Sequence, residues 1–245
     1  TGGSRALSAG GSSVVTTAEA LIENGKKVTA NLLEAAEVDI EFSNGTFRIA
    51  GTDRSASLAD VAKASFNDSL CPDDVEPGLV TVVEQPPVAP TFPNGCHLCE
   101  IEIDQATGEI EFINYVIEDD IGVILNPLML EGQILGGAGQ GLSQALYEES
   151  VYDESGQFVN GSFMDYTMPR ADNVPAFDFH YTEVPSPSNR LGVKGAGEAG
   201  TIGSTPAVAN AVIDALSPLG VSDIEMPMTP LKIWQAIQRA STKAA

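Results

Sequence analysis

The chain has 245 residues, 43% of them hydrophobic, enough to bury a substantial core as one large domain or two small ones. Its 34 acidic residues against 12 basic leave a formal charge of -22, a surface that repels phosphate backbones and anionic lipid and argues against nucleic acid and membranes as partners. Three cysteines, Cys71, Cys96 and Cys99, imply no disulfide framework, and no apolar run approaches the roughly 20 residues that span a bilayer, so a cytoplasmic protein is expected.

After a Gly/Ser-rich start, Val14, Ala18, Leu21, Ile22, Val28 and Leu32 recur at helical spacing and predict an amphipathic helix over residues 13–33, despite Gly25. Val38, Ile40 and Phe42 alternate before Asn44-Gly45, and Phe47 and Ile49 alternate after it. Asn-Gly tolerates the positive φ of a tight turn, so a hairpin is expected there. A short helix follows at 57–65. The four prolines of 85–95 continue no regular element and mark a boundary.

Beyond the boundary, Cys99, Ile101 and Ile103 face Ile110, Phe112 and Val116 across the turn 104–109 as a second hairpin. Residues 132–147 read as a buried helix in which Gly136, Gly137, Gly139 and Gly141 each cost stability, about 1 kcal/mol relative to Ala, so close approach to that backbone is expected. Extended, Pro-rich sequence from 168 to 190 leads into a loop at 192–204. Thr205 as N-cap with Pro206 at the first helical position then predicts a helix to about 216. A closing helix covers 231–240. Hairpins alternating with helices indicate an α+β fold.

The sharpest segment is Gly192-Val-Lys-Gly-Ala-Gly-Glu-Ala-Gly, in which glycines bracket one carboxylate, Glu198. Such a loop lets backbone approach a ligand and can present a general base, although its spacing equally describes a mobile surface loop. Gly195-x-Gly197-x-x-Gly200 also matches a dinucleotide fingerprint, but the two prolines before it replace the buried strand that fingerprint requires. Cys96-His97-Leu98-Cys99 puts three potential metal ligands in one strand with no partner cluster, which favours buried thiols over a metal site. Thr1 fits a processed N-terminal nucleophile, a hydrolase alternative. Numbering that starts at Thr1 without a Met indicates a processed or cut terminus.

In order, several segments resemble the C-terminal part of the molybdopterin-binding catalytic subunit of the xanthine oxidase, aldehyde oxidase and carbon monoxide dehydrogenase family. They are Thr1-Gly-Gly-Ser-Arg5, Asp119-Asp-Ile-Gly-Val-Ile-Leu-Asn-Pro127, Glu131-Gly-Gln-Ile-Leu-Gly-Gly-Ala-Gly-Gln-Gly141, Phe163-Met-Asp-Tyr166, Pro185-Ser-Pro187 and the Gly192 loop. The resemblance implies a molybdopterin-binding α+β fold of mixed sheets and packed helices, second half only. It implies two subdomains, 1–84 with a pterin-contacting N-terminal loop and 85–245 with the Gln133 helix and the Glu198 loop.

By the same resemblance Glu198 is the catalytic base of a hydroxylase or dehydrogenase. Gln133 bonds a molybdenum ligand, and Gly2, Gly3, Ser4 and Arg5 hold the pterin or its phosphate, with Asp120 and Lys194 near the cofactor. Molybdenum would be held by the molybdopterin, possibly a dinucleotide form, with no protein side chain as ligand. Ala6, Leu7 and Ile121 depart from the family pattern. The expected partners are a chain or domain carrying the first half of the subunit, an iron-sulfur subunit, a flavin subunit with FAD, and a small-molecule substrate: an aldehyde, an N-heterocycle or carbon monoxide. A non-catalytic scaffold of the same fold is the remaining alternative.

Overall fold

The computed structural model describes residues 2–244, so the expectations that rest on Thr1 lie outside the described residues. The chain divides into two compact units: Ala9–Val88, and Thr1–Ser8 together with Ala89–Ala245. The division at 88/89 lies within the Pro-rich stretch 85–95. The N-terminal segment groups with the second unit and not the first, because its contacts are with the glycine loop described below.

The first unit opens with helix α1 (Ser12–Leu32). Gly25, an apparent flaw in that helix, sits against Phe47, whose ring occupies the place a Cβ would need. Strands β1 (Ile40–Ser43) and β2 (Thr46–Ile49) pair antiparallel around Asn44 and Gly45, both at positive φ (49° and 74°), as the turn dipeptide demands. β3 (Ser55–Ser57) completes the sheet in the order β1-β2-β3. Val38 is not in the hairpin: it lies in a 3-10 turn, Glu37–Asp39, and is 92% exposed. Ser57 caps α2 (Leu58–Ala64) by accepting the Asp60 amide at 3.1 Å. Val28, Ile40, Phe47, Val61, Val75 and Leu79 form this unit's core.

In the second unit β4 (Asn94–Ile103) and β5 (Ile110–Asp120) pair antiparallel, with Ile103 opposite Ile110 and Ile101 opposite Phe112. β6 (Asp178–Thr182), inside the segment read as merely extended, adds parallel to β5. One sheet therefore contains both pairings, in the order β4-β5-β6. α3 (Pro127–Leu146) starts on Asn126, whose Oδ1 accepts the Met129 amide at 3.1 Å, with Pro127 in the first turn. α4 (Ala199–Leu216) and α5 (Pro230–Ala244) follow. Tyr115, Ile117, Ile134, Leu142, Val208, Val212 and Ile233 are fully buried in this unit's core.

Two sequence expectations need correction here. α4 begins six residues earlier than Thr205, so Thr205 and Pro206 lie within the helix and the 192–204 loop ends at Glu198. The hydroxyl of Thr205, freed from a capping role, reaches the Gly141 carbonyl on α3 at 3.1 Å. The close approach expected over the α3 glycines also falls on only two of the four. A Cβ on Gly137 would come 3.1 Å from the Thr201 amide and one on Gly141 2.8 Å from the Thr201 carbonyl, whereas Gly136 and Gly139 face open space. What approaches this helix is another helix.

Asp119 continues the inward face of β5 beyond Tyr115 and Ile117. It is buried, its Oδ2 has no hydrogen-bond partner, and a Cβ on the facing Gly95 would overlap its other oxygen. Burial, reinforced by the adjacent Glu118, pushes its carboxyl from 3.8 up to about 6. The folded chain then holds this proton more tightly than the unfolded chain, so stability drops as pH rises from about 4 to about 6 and stays lower above. Asp119→Asn is expected to raise stability at pH 7–8 by on the order of 1–3 kcal/mol and to change nothing below pH 4, read from thermal midpoints across that range.

Candidate cofactor site

The end of β5 and the glycine loop are stitched together by backbone. The Val123 amide donates to the Gly192 carbonyl (3.0 Å) and the Lys194 amide to the Ile121 carbonyl (2.9 Å), while Ser186 donates its amide to the same Gly192 oxygen (2.9 Å). Gly122 and Gly192, at φ of 68° and 66°, supply the left-handed turns this crossing needs. Pro185 packs against Gly192, which gives the Pro185-Ser-Pro187 segment its place in the arrangement.

Below this stitch, Lys194 forms an ion pair with Asp120, both side chains nearly buried at 12% and 10% exposure. Asp120 also accepts the amides of Gly122 (2.9 Å) and Val184 (3.1 Å) through its other oxygen. Burial alone would raise the Asp120 pKa; the Lys194 ammonium and the two amides outweigh it and leave the carboxyl below its ordinary range. Asp120 is therefore a structural anchor for the loop, behind the cavity and outside its lining.

The loop's second half rests on the N-terminal segment. A Cβ on Gly195 would overlap the Ser4 carbonyl, and one on Gly197 would sit 3.1 Å from the Ser4 hydroxyl. Ser4, itself at φ 51°, donates that hydroxyl to Glu198 Oε2 at 2.5 Å. From α3, Gln133 donates its side-chain amide to the Gly197 carbonyl at 3.1 Å. A cavity of about 820 Å³ opens over these groups. Gly2, Gly3, Ser4, Gln133, Lys194 and Glu198 all line it, and so do the apolar side chains of Ile121, Leu125 and Met129.

Of the eight residues singled out from sequence, those six share one cavity wall. Arg5 is exposed and does not line the cavity, and Asp120 stands behind Lys194. Glu198 is exposed at the cavity mouth. Asn126 also lines the cavity and was not singled out, although Asn-Pro ahead of an apolar run is a legible helix start. Phe163, Met164, Asp165 and Tyr166 line a separate pocket of about 550 Å³ with Tyr147 and Arg170.

The lining suits a pterin. Gly2 and Gly3 face the cavity with nothing within 4 Å of where a Cβ would stand, so their bare backbone leaves room that the chain's own packing does not use. Asn126, Gln133 and Lys194 add amide and ammonium donors suited to phosphate and ring heteroatoms, while the Ser4 hydroxyl spends its proton on Glu198. Among the described residues no group of three or more His, Cys, Asp and Glu is placed to hold a metal ion. His97 Nδ1 lies 3.1 Å from the Tyr115 hydroxyl and burial pushes the Cys99 thiol up to about 11, whereas Cys96, expected to be buried, is exposed.

A molybdopterin cofactor-binding domain model matches residues 1–175, which is most of the chain. The chain belongs to the molybdopterin cofactor-binding family. Over 236 residues it is 41% identical to the nicotine 6-hydroxylase large subunit of Paenarthrobacter nicotinovorans, covering 96% of this chain and 29% of that one. It is 33% identical over 237 residues to the carbon monoxide dehydrogenase large chain of Hydrogenophaga pseudoflava, with the same shares covered. A crystal structure of the Cu,Mo-CO dehydrogenase superposes with a TM-score of 0.84 at 32% identity over 98% of this chain and 30% of that one. Quinoline 2-oxidoreductase from Pseudomonas putida 86 superposes at 0.80, with 34% identity over 96% of this chain and 30% of that one. The α+β molybdopterin-binding fold inferred from the sequence is thus the fold of solved molybdenum enzymes. This family member spans about 30% of the length of those relatives. No helix among the described residues is long and apolar enough to cross a membrane.

The buried ion pair gives this subsection its test. Lys194→Met leaves Asp120 buried without a counter-charge and is expected to cost about 3 kcal/mol at pH 7. Asp120's contribution is present above the ordinary carboxylate pKa and lost as pH falls from there through the lowered pKa of the folded chain, so the penalty should be smaller at acid pH than at pH 7. Denaturant midpoints of the two proteins at pH 7 and pH 3.5 check both parts.

Proposed function

We propose that this chain is the part of a molybdenum-pterin hydroxylase or dehydrogenase large subunit that carries the proton acceptor, Glu198. The observation that carries this reading is a single cavity in which Glu198, Gln133 and Ser4 meet over the bare backbone of Gly2 and Gly3. Family membership and the match to molybdenum oxidoreductases support it.

When bound, the molybdenum-pterin supplies two-electron redox chemistry and brings water-derived oxygen to the substrate. This chain's residues do the rest. Gly2 and Gly3 amides and the Lys194 ammonium bind and orient the group, and the Ser4 hydroxyl, its proton given to Glu198, offers only its oxygen as an acceptor. Gln133, its amide anchored on the Gly197 carbonyl, keeps a second N–H and its Oε1 for the cavity. Glu198 accepts a proton: Oε2 is held by Ser4, and Oε1, with no partner among the described residues, is the acceptor atom. The hydrogen bond from Ser4 fixes the carboxylate so that no reorientation is needed at the moment of transfer.

The substrate is a small molecule with an electron-poor carbon. The 41% identity to a nicotine hydroxylase and the likeness to a quinoline oxidoreductase support a nitrogen heterocycle ahead of an aldehyde or carbon monoxide. Electrons pass to iron-sulfur and flavin subunits, and the remainder of the large subunit completes the cavity. That arrangement is supported by relatives named as large chains of which this one spans under a third.

Glu198→Gln in the whole assembly is expected to retain molybdenum and pterin, measured by metal analysis and cofactor extraction, while turnover of N-heteroaromatic substrates drops at least ~10²-fold. Turnover within a few-fold of the parent would remove Glu198 from the chemistry, and a parent protein without molybdenum or pterin would leave a scaffold of the same fold.

A further inference from the structure

α3 and α4 meet through a repeated set of hydrogen bonds. Gln133 donates to the Gly197 carbonyl (3.1 Å), Thr201 to the Gly137 carbonyl (3.0 Å) and Thr205 to the Gly141 carbonyl (3.1 Å). Each rung joins residues 64 apart in the chain, and each steps four residues along both segments. Four residues bring a helix back to the same face, so the two helices run parallel in one fixed register.

The two threonine rungs repeat in detail. Gln140 lies 3.2 Å from the Thr201 hydroxyl and Gln144 3.3 Å from that of Thr205. A hydroxyl has one proton, and here it goes to the glycine carbonyl. Each glutamine places its Oε1 beside the hydroxyl as a second, longer acceptor, and Thr205 has a third in the Thr201 carbonyl at 3.3 Å. Such proximity requires absent side chains on both helices: a Cβ on Gly141 would lie 2.8 Å from Thr205 Oγ1, and one on Gly200 would overlap the Ile134 carbonyl.

The third rung is different in kind, because its partners belong to the cavity. Gln133 lies one turn before Gly137, Gly197 directly precedes Glu198, and Thr201 sits in the first turn of α4 with Glu198 at its N-cap position. We propose that Thr201 and Thr205 are positioning residues: their hydroxyls lock α4 onto α3 in the register that holds Gly197 against Gln133 and the Glu198 carboxylate against Ser4. This assignment rests on the role proposed above for Glu198. A slip of one residue along a helix is about 1.5 Å with a rotation of roughly 100°, and displacement of a reacting group by about 1 Å costs on the order of 10²-fold. Loosening one rung without a slip should cost less.

The test uses the whole assembly, with Thr201→Val, Thr201→Ser and Thr205→Val compared for molybdenum and pterin content, kcat and KM, and amide hydrogen exchange over residues 199–202. Thr201→Val keeps the volume and deletes the donor. It is expected to retain cofactor and a KM within about twofold, to lose about 10-fold in kcat, and to exchange faster in the first turn of α4, whereas Thr201→Ser restores both. Thr205→Val, one turn further from Glu198, should produce a smaller loss. Parent-like kcat and exchange in Thr201→Val would overturn the assignment, as would equal losses in the Ser and Val variants. If Thr201→Val behaves as the parent while Glu198→Gln is inactive, the positioning role falls and the proton-acceptor role stands. If Glu198→Gln turns over normally, the proton-acceptor role falls, and unchanged exchange in Thr201→Val removes the register lock as well.

Discussion

Backbone touching backbone is the constraint on which the cofactor-binding half of this protein depends. Gly195 and Gly197 let the N-terminal segment lie on the loop at Ser4, Gly200 lets α4 press on α3 at Ile134, and Gly137 and Gly141 receive Thr201 and Ser204 from the other side. A side chain at Gly195, Gly200 or Gly141 would overlap backbone and push apart the segments that carry Ser4, Gln133 and Glu198, while Gly137 and Gly197 are tight but less constrained. Glycine is costly in a helix and loses more chain freedom on folding than other residues, so five of them in contact mark a place where proximity outweighs local stability.

Glycine contacts permit closeness but do not by themselves select a register, and polar groups supply that selection. Asp120, buried and bonded to Lys194 and to two backbone amides, ties the start of the loop to the end of β5. The hydroxyls of Thr201 and Thr205 tie its far end to α3. Glu198 therefore sits on a short span clamped at both ends, with Ser4 gripping its carboxylate between. A loop with so many glycines would be mobile in isolation; here its φ freedom is spent on crossings that hydrogen bonds then hold. The result is a wall of pre-placed donors and one acceptor, which is what a bulky, self-ligated metal group requires of its protein.

The acidic surface sets a further condition. The chain has 34 acidic residues, and the cavity lining includes one of them, Glu198, beside Ser4, Asn126, Gln133 and Lys194. Asp119, close by on β5, is the counter-example: it is buried without a full set of partners and holds its proton near pH 6.

Local rules made much of this legible in the sequence alone. Asn44-Gly45, the alternation of Ile101 and Ile103 against Ile110 and Phe112, and the periodicity of α1 each depend on neighbours within a few positions, and the hairpins and helix formed there. Ordered motifs placed the chain in its family, and six of the eight chosen site residues line one cavity. What the sequence could not decide was every feature set by partners far along the chain. Thr205-Pro206 carries the local signature of a helix start, yet α4 begins at Ala199, because the Gly200–Ile134 and Thr201–Gly137 contacts extend the helix back across residues that locally read as loop. Gly137 and Gly139 look alike in sequence and only the first meets another helix; Asp120 and Glu198 are both carboxylates in family motifs, and only their surroundings bury one in an ion pair and leave the other exposed beside Ser4. Propensity and periodicity act over one or two turns, whereas the role of a polar or absent side chain is assigned by whatever the fold brings against it.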